Sequence, residues 1–260
     1  MKTVNILMGP KLGDLFHSLT VPSYYWTHYG IKTNFFITDK YDDFTTTPER
    51  TYKELQPIIE SQEYINHFGI FDPSKDDIDH DLNMFRFNGL LYTRSFWAVF
   101  LHSAFPDCPL IPKNYVSVDV PTDDTYKDYL LVHRKPGRFE WTDVIEKQYK
   151  HVMNQFDKKL FISFSPYAYD NFELKDDIDF LMIEDLYEYL KIIKGCKNFL
   201  TNATGTLCMA TAINSPRIGE LGKFLTPHYS QDHLFFDNCE FFDQSGVYTP
   251  NAKFLDPNIV

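Results

Sequence analysis

The sequence is poor in the features that mark whole classes of protein. Its four cysteines, Cys108, Cys196, Cys208 and Cys239, are scattered with no CxxC pair, so neither a zinc site nor a disulfide framework is indicated and a reducing compartment fits best. No apolar run approaches the roughly 18 residues of a membrane span. The opening MKTVNILMGPK is broken too soon by Gly9 and Pro10 to read as a signal peptide, so a soluble, cytoplasmic protein is expected. Positive charge is scarce: 25 Lys and Arg stand against 36 Asp and Glu, a net charge of −11. The chain as a whole therefore matches neither nucleic acid nor an anionic membrane, and any phosphate must be met locally. The histidines form no metal cluster by spacing, since His228 and His233 are five apart rather than four and no HExxH occurs. The pairs Asp42-Asp43, Asp76-Asp77, Asp123-Asp124 and Asp176-Asp177 read as solvated loops, outside any strand-Asp-x-Asp context. No GxSxG elbow and no GxxxxGK(S/T) loop is present, which excludes hydrolases and kinases of those types. Internal repeats and low-complexity segments are also missing.

What is present is a chain with 24 Phe and 17 Tyr, long enough at 260 residues for one large domain or two, which points to packed globular structure rather than disorder. Val4 to Met8 is a short apolar run that ends in a turn-rich loop, with Asp14 placed to cap a helix running from Leu15 to a stop at Gly30. Thr33 to Thr38 is strand-like, so the chain opens as βαβ, and parallel strands carry their chemistry in the loops at their carboxyl ends. A helix or two is expected over Thr47 to His67, a solvated acidic loop over Asp72 to Asp81, a buried aromatic helix over Leu90 to Phe105, and a strand over Tyr115 to Val120. The rhythm restarts with a strand at Asp128 to His133, a basic loop at Arg134 to Glu140, and a helix over Trp141 to Phe156. There follow a strand at Lys159 to Ser165, a loop through Asp170, a weaker strand near Asp179 to Ile183 and a helix over Leu186 to Lys194, while the last eighteen residues read as irregular. The expectation is an α/β protein of two Rossmann-like domains, 1–112 and 128–260, joined by a linker at 113–127 and facing each other across a cleft.

Lys197 to Leu221 is the most informative stretch: strand, small polar turn, buried helix, second strand. Thr201, Asn202, Ala203, Thr204 and Gly205 offer small side chains, a cap and a permissive backbone, and Leu207 to Ile213 is almost wholly small or apolar. The start of such a helix points N–H groups and partial positive charge into the crevice beyond the strand, a ready anion site. Glu220 then falls at the end of the next strand, where a carboxylate suits a ribose hydroxyl pair. On a purely structural view the same pattern is an ordinary βαβ unit with a well-capped helix.

Gly13-Asp14 after the first strand, LLVHRKPGRFEW at Leu130 to Trp141, and FLTNATGTLCMATAINSPRIGEL at Phe199 to Leu221 together resemble the ADP-heptose:lipopolysaccharide heptosyltransferases, which are glycosyltransferases of the GT-B fold. The resemblance implies a metal-independent, cofactor-free transfer from a nucleotide sugar to a glycan or other hydroxyl acceptor, with no nucleic-acid partner and no integral membrane contact. The donor's diphosphate would sit at the second domain and the acceptor at the first. Asp14 would be the base that takes the acceptor's proton, or only a helix cap, with Lys11 and Gly13 beside it on the acceptor side. Arg134, Lys135 and Arg138 would stabilise the leaving diphosphate, or be simple loop residues. Thr201, Asn202, Thr204, Gly205 and Thr206 would supply phosphate donors, and Glu220 would take the ribose. Two other readings stay open: a non-catalytic module of the same shape that binds a nucleotide, glycan or protein, and a nucleotide-sugar epimerase.

Overall fold

The computed structural model describes residues 3–38, 47–87, 95–107, 113–223, 225–229 and 231–259. The first part of the chain runs β1 (Val4–Met8), α1 (Leu12–Ser18), α2 (Thr20–Tyr29), β2 (Thr33–Ile37), α3 (Pro48–Ile59), β3 (Ile65–Ile70), β4 (His80–Asp81), a 3-10 turn at Leu82–Phe87 and α4 (Phe96–Ala104). The second part runs β5 (Leu130–His133), α5 (Asp143–Met153), β6 (Lys159–Ser163), α6 (Pro166–Asp170), β7 (Asp179–Met182), α7 (Leu186–Gly195), β8 (Asn198–Asn202), α8 (Gly205–Ala212), β9 (Arg217–Glu220), α9 (Thr226–Tyr229), β10 (Cys239–Asp243) and β11 (Gly246–Val247). The strands form two separate sheets, one ordered β3-β2-β1-β4 and the other β11-β10-β9-β8-β5-β6-β7. Every pairing is parallel except the terminal β10–β11 hairpin. Counted from its own first strand, each sheet follows the Rossmann order 3-2-1-4, so order reverses between β1 and β4 in one and between β5 and β8 in the other. Ligands of such sheets bind beyond the carboxyl ends at these reversals.

Alternation along the strands assigns the two faces of the larger sheet. Leu131, Ile162, Phe199 and Phe241 point inward, into a core shared with Ile6, Phe35 and Leu55 of the first sheet and its helices. Their neighbours Leu130, Val132, Phe161, Leu200, Ile218 and Phe242 point outward into a second core under α5, as the period of two requires. The inner layer is helix on helix. Gly13 of α1 lies against α8 so closely that a Cβ there would fall 3.2 Å from Cys208 Sγ and 3.7 Å from Gly205 Cα. No helix among the described residues is long and apolar enough to cross a membrane.

Several sequence expectations change. The helix expected from Leu15 to Tyr29 is two, α1 and α2, divided at Leu19, and Pro22 is tolerated in the first turn of α2, where its missing N–H has no helical partner. Asp14 does not cap α1; Lys11 occupies that position and Asp14 lies in the first turn. The segment expected to be helical up to His67 ends as a helix at Ile59, and Ile65–Ile70 pairs with β2 as an edge strand. Tyr115 to Val120 forms no strand, because its backbone is satisfied elsewhere: Ser117 and Val118 N–H donate to Ala212 O at 2.9 and 3.0 Å, and Gln62 bridges both polar groups of Asp119 at 2.7 and 2.9 Å. The loop through Asp170 contains the short α6, and the irregular tail contains β11. Residues 90–94 of the expected aromatic helix, together with Cys108 and Asp42-Asp43, lie outside the described residues.

Candidate functional site

A cavity of about 420 Å³ opens where the ends of β1, β5 and β8 meet. Lys11, Gly13 and Asp14 line it from the first half; Lys135, Arg138, Thr204 and Gly205 line it from the second. These residues lie far apart in the chain, and the α1–α8 contact brings them together. The Asn202 side chain explains how the basic loop reaches the site. Its Oδ1 accepts from Lys135 N and its Nδ2 donates to Lys135 O, both at 3.0 Å, so the loop after β5 is tied to the end of β8. Lys135 and Arg138 are exposed.

Thr204 stands at the N-cap of α8 but makes no capping hydrogen bond. Its hydroxyl bonds instead to Asn202 O at 3.3 Å and to the Thr206 hydroxyl at 2.9 Å, and Thr206 also bonds Thr201 Oγ1 at 2.8 Å. The start of α8, Thr204 and Gly205, thus lines the cavity without a side-chain cap, and helix starts of this kind suit an anion. Thr201, Asn202 and Thr206 are buried and occupied in holding this turn, so they shape the cradle, whereas Thr204 and Gly205 line it.

On the opposite wall, Asp14 pairs with Arg86, which reaches it from the Leu82–Phe87 turn. That turn is anchored over the first loop by Asn83 Oδ1, which accepts from Gly9 N at 2.7 Å. Arg86 went unnoticed in the sequence because no local spacing links it to a residue 72 positions away. Behind the cavity, Cys208 and Tyr229 hydrogen-bond at 3.3 Å, and burial pushes the Cys208 thiol up to about 12, so it is an inert wall rather than a nucleophile.

Two expected site residues are placed differently. Arg134 and Glu220 pair with each other at 2.8 and 3.0 Å, with 2% and 0% of their side chains exposed. Tyr149 donates to Glu220 at 2.9 Å, Arg134 lies over Trp141 at 4.7 Å, and Glu173 approaches the guanidinium at 3.3 Å. Burial works to lower Arg134, but the Glu220 hydrogen bonds and the surrounding negative groups outweigh it and raise the guanidinium, while burial drives Tyr149 well above the usual phenol range, so the cluster stays one fixed ion pair with a neutral phenol. Both Glu220 oxygens are taken, and the ribose role expected for it gives way to a structural one. Arg134 likewise braces the loop whose exposed cations are Lys135 and Arg138.

Two further cavities flank the first. One of about 690 Å³ lies beyond β6 and β7, with Phe164, Met182, Glu184 and Asp185 facing Arg50 and Lys53 of α3, and it meets the central cavity at Leu12. The other, of about 470 Å³, lies beyond β9 and β10 and meets it at Arg138 and Leu225. Among the described residues, no group of three or more His, Cys, Asp or Glu is arranged to hold a metal ion.

No protein-family model and no curated protein matches the sequence. Solved structures do match the fold. A glycosyl transferase family 9 protein from Veillonella parvula superposes with a TM-score of 0.60 over 97% of this chain and 88% of its own, at 11% identity. The E. coli ADP-heptose lipopolysaccharide heptosyltransferase II gives 0.60 over 93% and 90%, at 11% identity. E. coli heptosyltransferase WaaC, solved with ADP, gives 0.52 over 92% and 93%, at 12% identity. The chain therefore has a GT-B-like fold, the architecture of these glycosyltransferases.

Proposed function

We propose that the protein transfers a sugar from a nucleoside-diphosphate donor to a hydroxyl acceptor without a metal ion. The observation that carries this reading is the central cavity, which sets a carboxylate from one half, Asp14, against an open helix start and two cations from the other. Asp14 accepts the proton of the acceptor hydroxyl as its oxygen bonds to the anomeric carbon, and the bond from that carbon to the diphosphate breaks. The α8 amides, Lys135 and Arg138 meet the charge that develops on the leaving phosphate. Arg86 holds the Asp14 carboxylate at the cavity wall until the hydroxyl arrives. By the Rossmann rule the nucleoside lies on the side of strands 2 and 3, here β6 and β7. There Phe164 and Met182 are exposed to take a base, and Glu184 and Asp185 stand near to take the ribose.

Melting curves with ADP, GDP, UDP and CDP and their sugars identify the donor by a raised transition temperature. With that donor, Asp14→Asn should lower transfer by about 10²–10⁴-fold and leave nucleotide affinity unchanged. Undiminished transfer in this variant would refute the assignment.

A further inference from the structure

The donor, placed as above, leaves one flank of the site unused. This is the 470 Å³ cavity beyond β9 and β10, a volume within the ordinary range for small-molecule sites. Phe139, Ile145, Leu221 and Leu225 line it with apolar surface, beside Glu220, whose two oxygens are already held by Arg134 and Tyr149, and the exposed Gln244. Phe139 is seated on Gly222, where an added Cβ would fall 2.2 Å from its ring, so the wall depends on the absence of a side chain at that position. The charged residues of the rim, Arg138, Glu140 and Lys223, are exposed and of mixed sign, and Arg138 also faces the diphosphate cradle. Strand order places the three cavities in line along one sheet edge: nucleoside side at β6–β7, reaction centre at β5–β8, apolar cavity at β9–β10.

We infer that this apolar cavity is an acceptor subsite, and that the acceptor carries an uncharged apolar moiety of about ring size next to the hydroxyl it offers to Asp14. The inference rests on the transferase reading of the preceding subsection. A nucleotide sugar spanning the first two cavities ends with its sugar at the reaction centre, so the attacking molecule must come from the remaining sides. On the β9–β10 side it meets four apolar walls. Against those four side chains the hydroxyls of a sugar find no partner, since the oxygens of the neighbouring Glu220 are already taken, whereas an aryl or alicyclic group removes both surfaces from water. The rim's two cations and one carboxylate are all exposed to solvent, so they ask no charge of the moiety between the apolar walls.

The test uses the full chain saturated with whichever of the four nucleoside diphosphates raises its melting temperature. Two probes that differ only in the apolar group, 4-nitrophenyl β-glucoside and methyl β-glucoside, are titrated by calorimetry. The aryl probe should bind at least tenfold tighter, and its ring protons should show NOEs to the Ile145 and Leu225 methyl groups. Phe139→Ala should remove most of that advantage while nucleotide affinity stays within twofold. Equal affinity of the two probes, NOEs elsewhere, or an undiminished advantage in Phe139→Ala overturns the proposal. A loss of nucleotide affinity in Phe139→Ala does so too, by assigning the cavity to the donor. If none of the four nucleotides binds, the transferase reading itself fails, an outcome distinct from nucleotide binding without probe discrimination.

Discussion

Replacing Glu220 by Gln separates a ribose-binding carboxylate from a structural one. The side chain keeps its shape but loses its charge, leaving Arg134, 2% exposed, with only Glu173 at 3.3 Å as counter-ion. Breaking a buried pair from one side costs about 3–5 kcal/mol, and because Glu173 is 34% exposed it offsets little of that. With an unfolding entropy of roughly 2 cal/mol/K per residue, a chain of this length should lose about 5–9 °C in melting temperature. Calorimetric or fluorescence melts of the variant, with and without the stabilising nucleotide, read both quantities together. The reasoning requires a large drop in the melting temperature of the free protein and an unchanged increment on adding nucleotide. A variant that melts within 2 °C of the parent and no longer responds to nucleotide would show that Glu220 touches the ligand, and the description of a sealed cluster would be wrong.

Two other perturbations probe the packing between the halves. His17, forced down to about 3 chiefly by burial and also by Arg217, stabilises the fold above its unfolded value of 6.5 and loses that contribution as pH falls. Asp232, raised to about 7 by burial from 3.8, does the reverse: its contribution is complete below 3.8 and is lost as pH rises through 7. Between about pH 4 and 6.5 the two slopes, each roughly 1.4 kcal/mol per pH unit, oppose one another. The parent should show little change from this pair across that window, whereas His17→Phe should become less stable toward neutral pH and Asp232→Asn less stable toward acid. Urea titrations across the window test this, and flat profiles in both variants would refute it. Gly13→Val should destabilise by about 1–3 kcal/mol in the same assay, since a side chain there meets Cys208 Sγ at 3.2 Å; full stability would mean that the α1–α8 contact is loose.

Much of this architecture is written in local pattern. Val4–Met8 and Thr33–Ile37 are strands as their apolar runs imply, and Gly30 ends α2 with a φ of 64° as a left-handed cap does. Asn198–Asn202, Gly205–Ala212 and Arg217–Glu220 follow the expected strand, helix and strand. Where local reading failed, a distant partner was decisive. Ile65 to His67 reads as the end of a helix until β2 offers an edge, and Tyr115 to Val120 alternates like a strand but is met by the end of α8 and by Gln62 rather than by a sheet. Cys239–Asp243 does not read as a strand locally, yet it is buried throughout and pairs with β9.

The candidate site divides in the same way. Residue types and their position after strands marked Asp14, Lys135, Arg138, Thr204 and Gly205 as candidates but left each open to a bland use as cap or loop residue, and it is the fold that lines one cavity with all five. The sequence could not say which polar groups remain open. Glu220 and Lys135 follow their strands in similar fashion, yet the fold closes Arg134 and Tyr149 over one and leaves the other in solvent. Local order in the chain determined the strands, the helix starts and the charges at their ends, since those depend on neighbours a few residues away. Only the docking of α1 on α8 decided that a carboxylate and an uncapped helix start share one cavity, because that depends on a contact between segments far apart in the chain, tightest where Gly13 lies against Cys208.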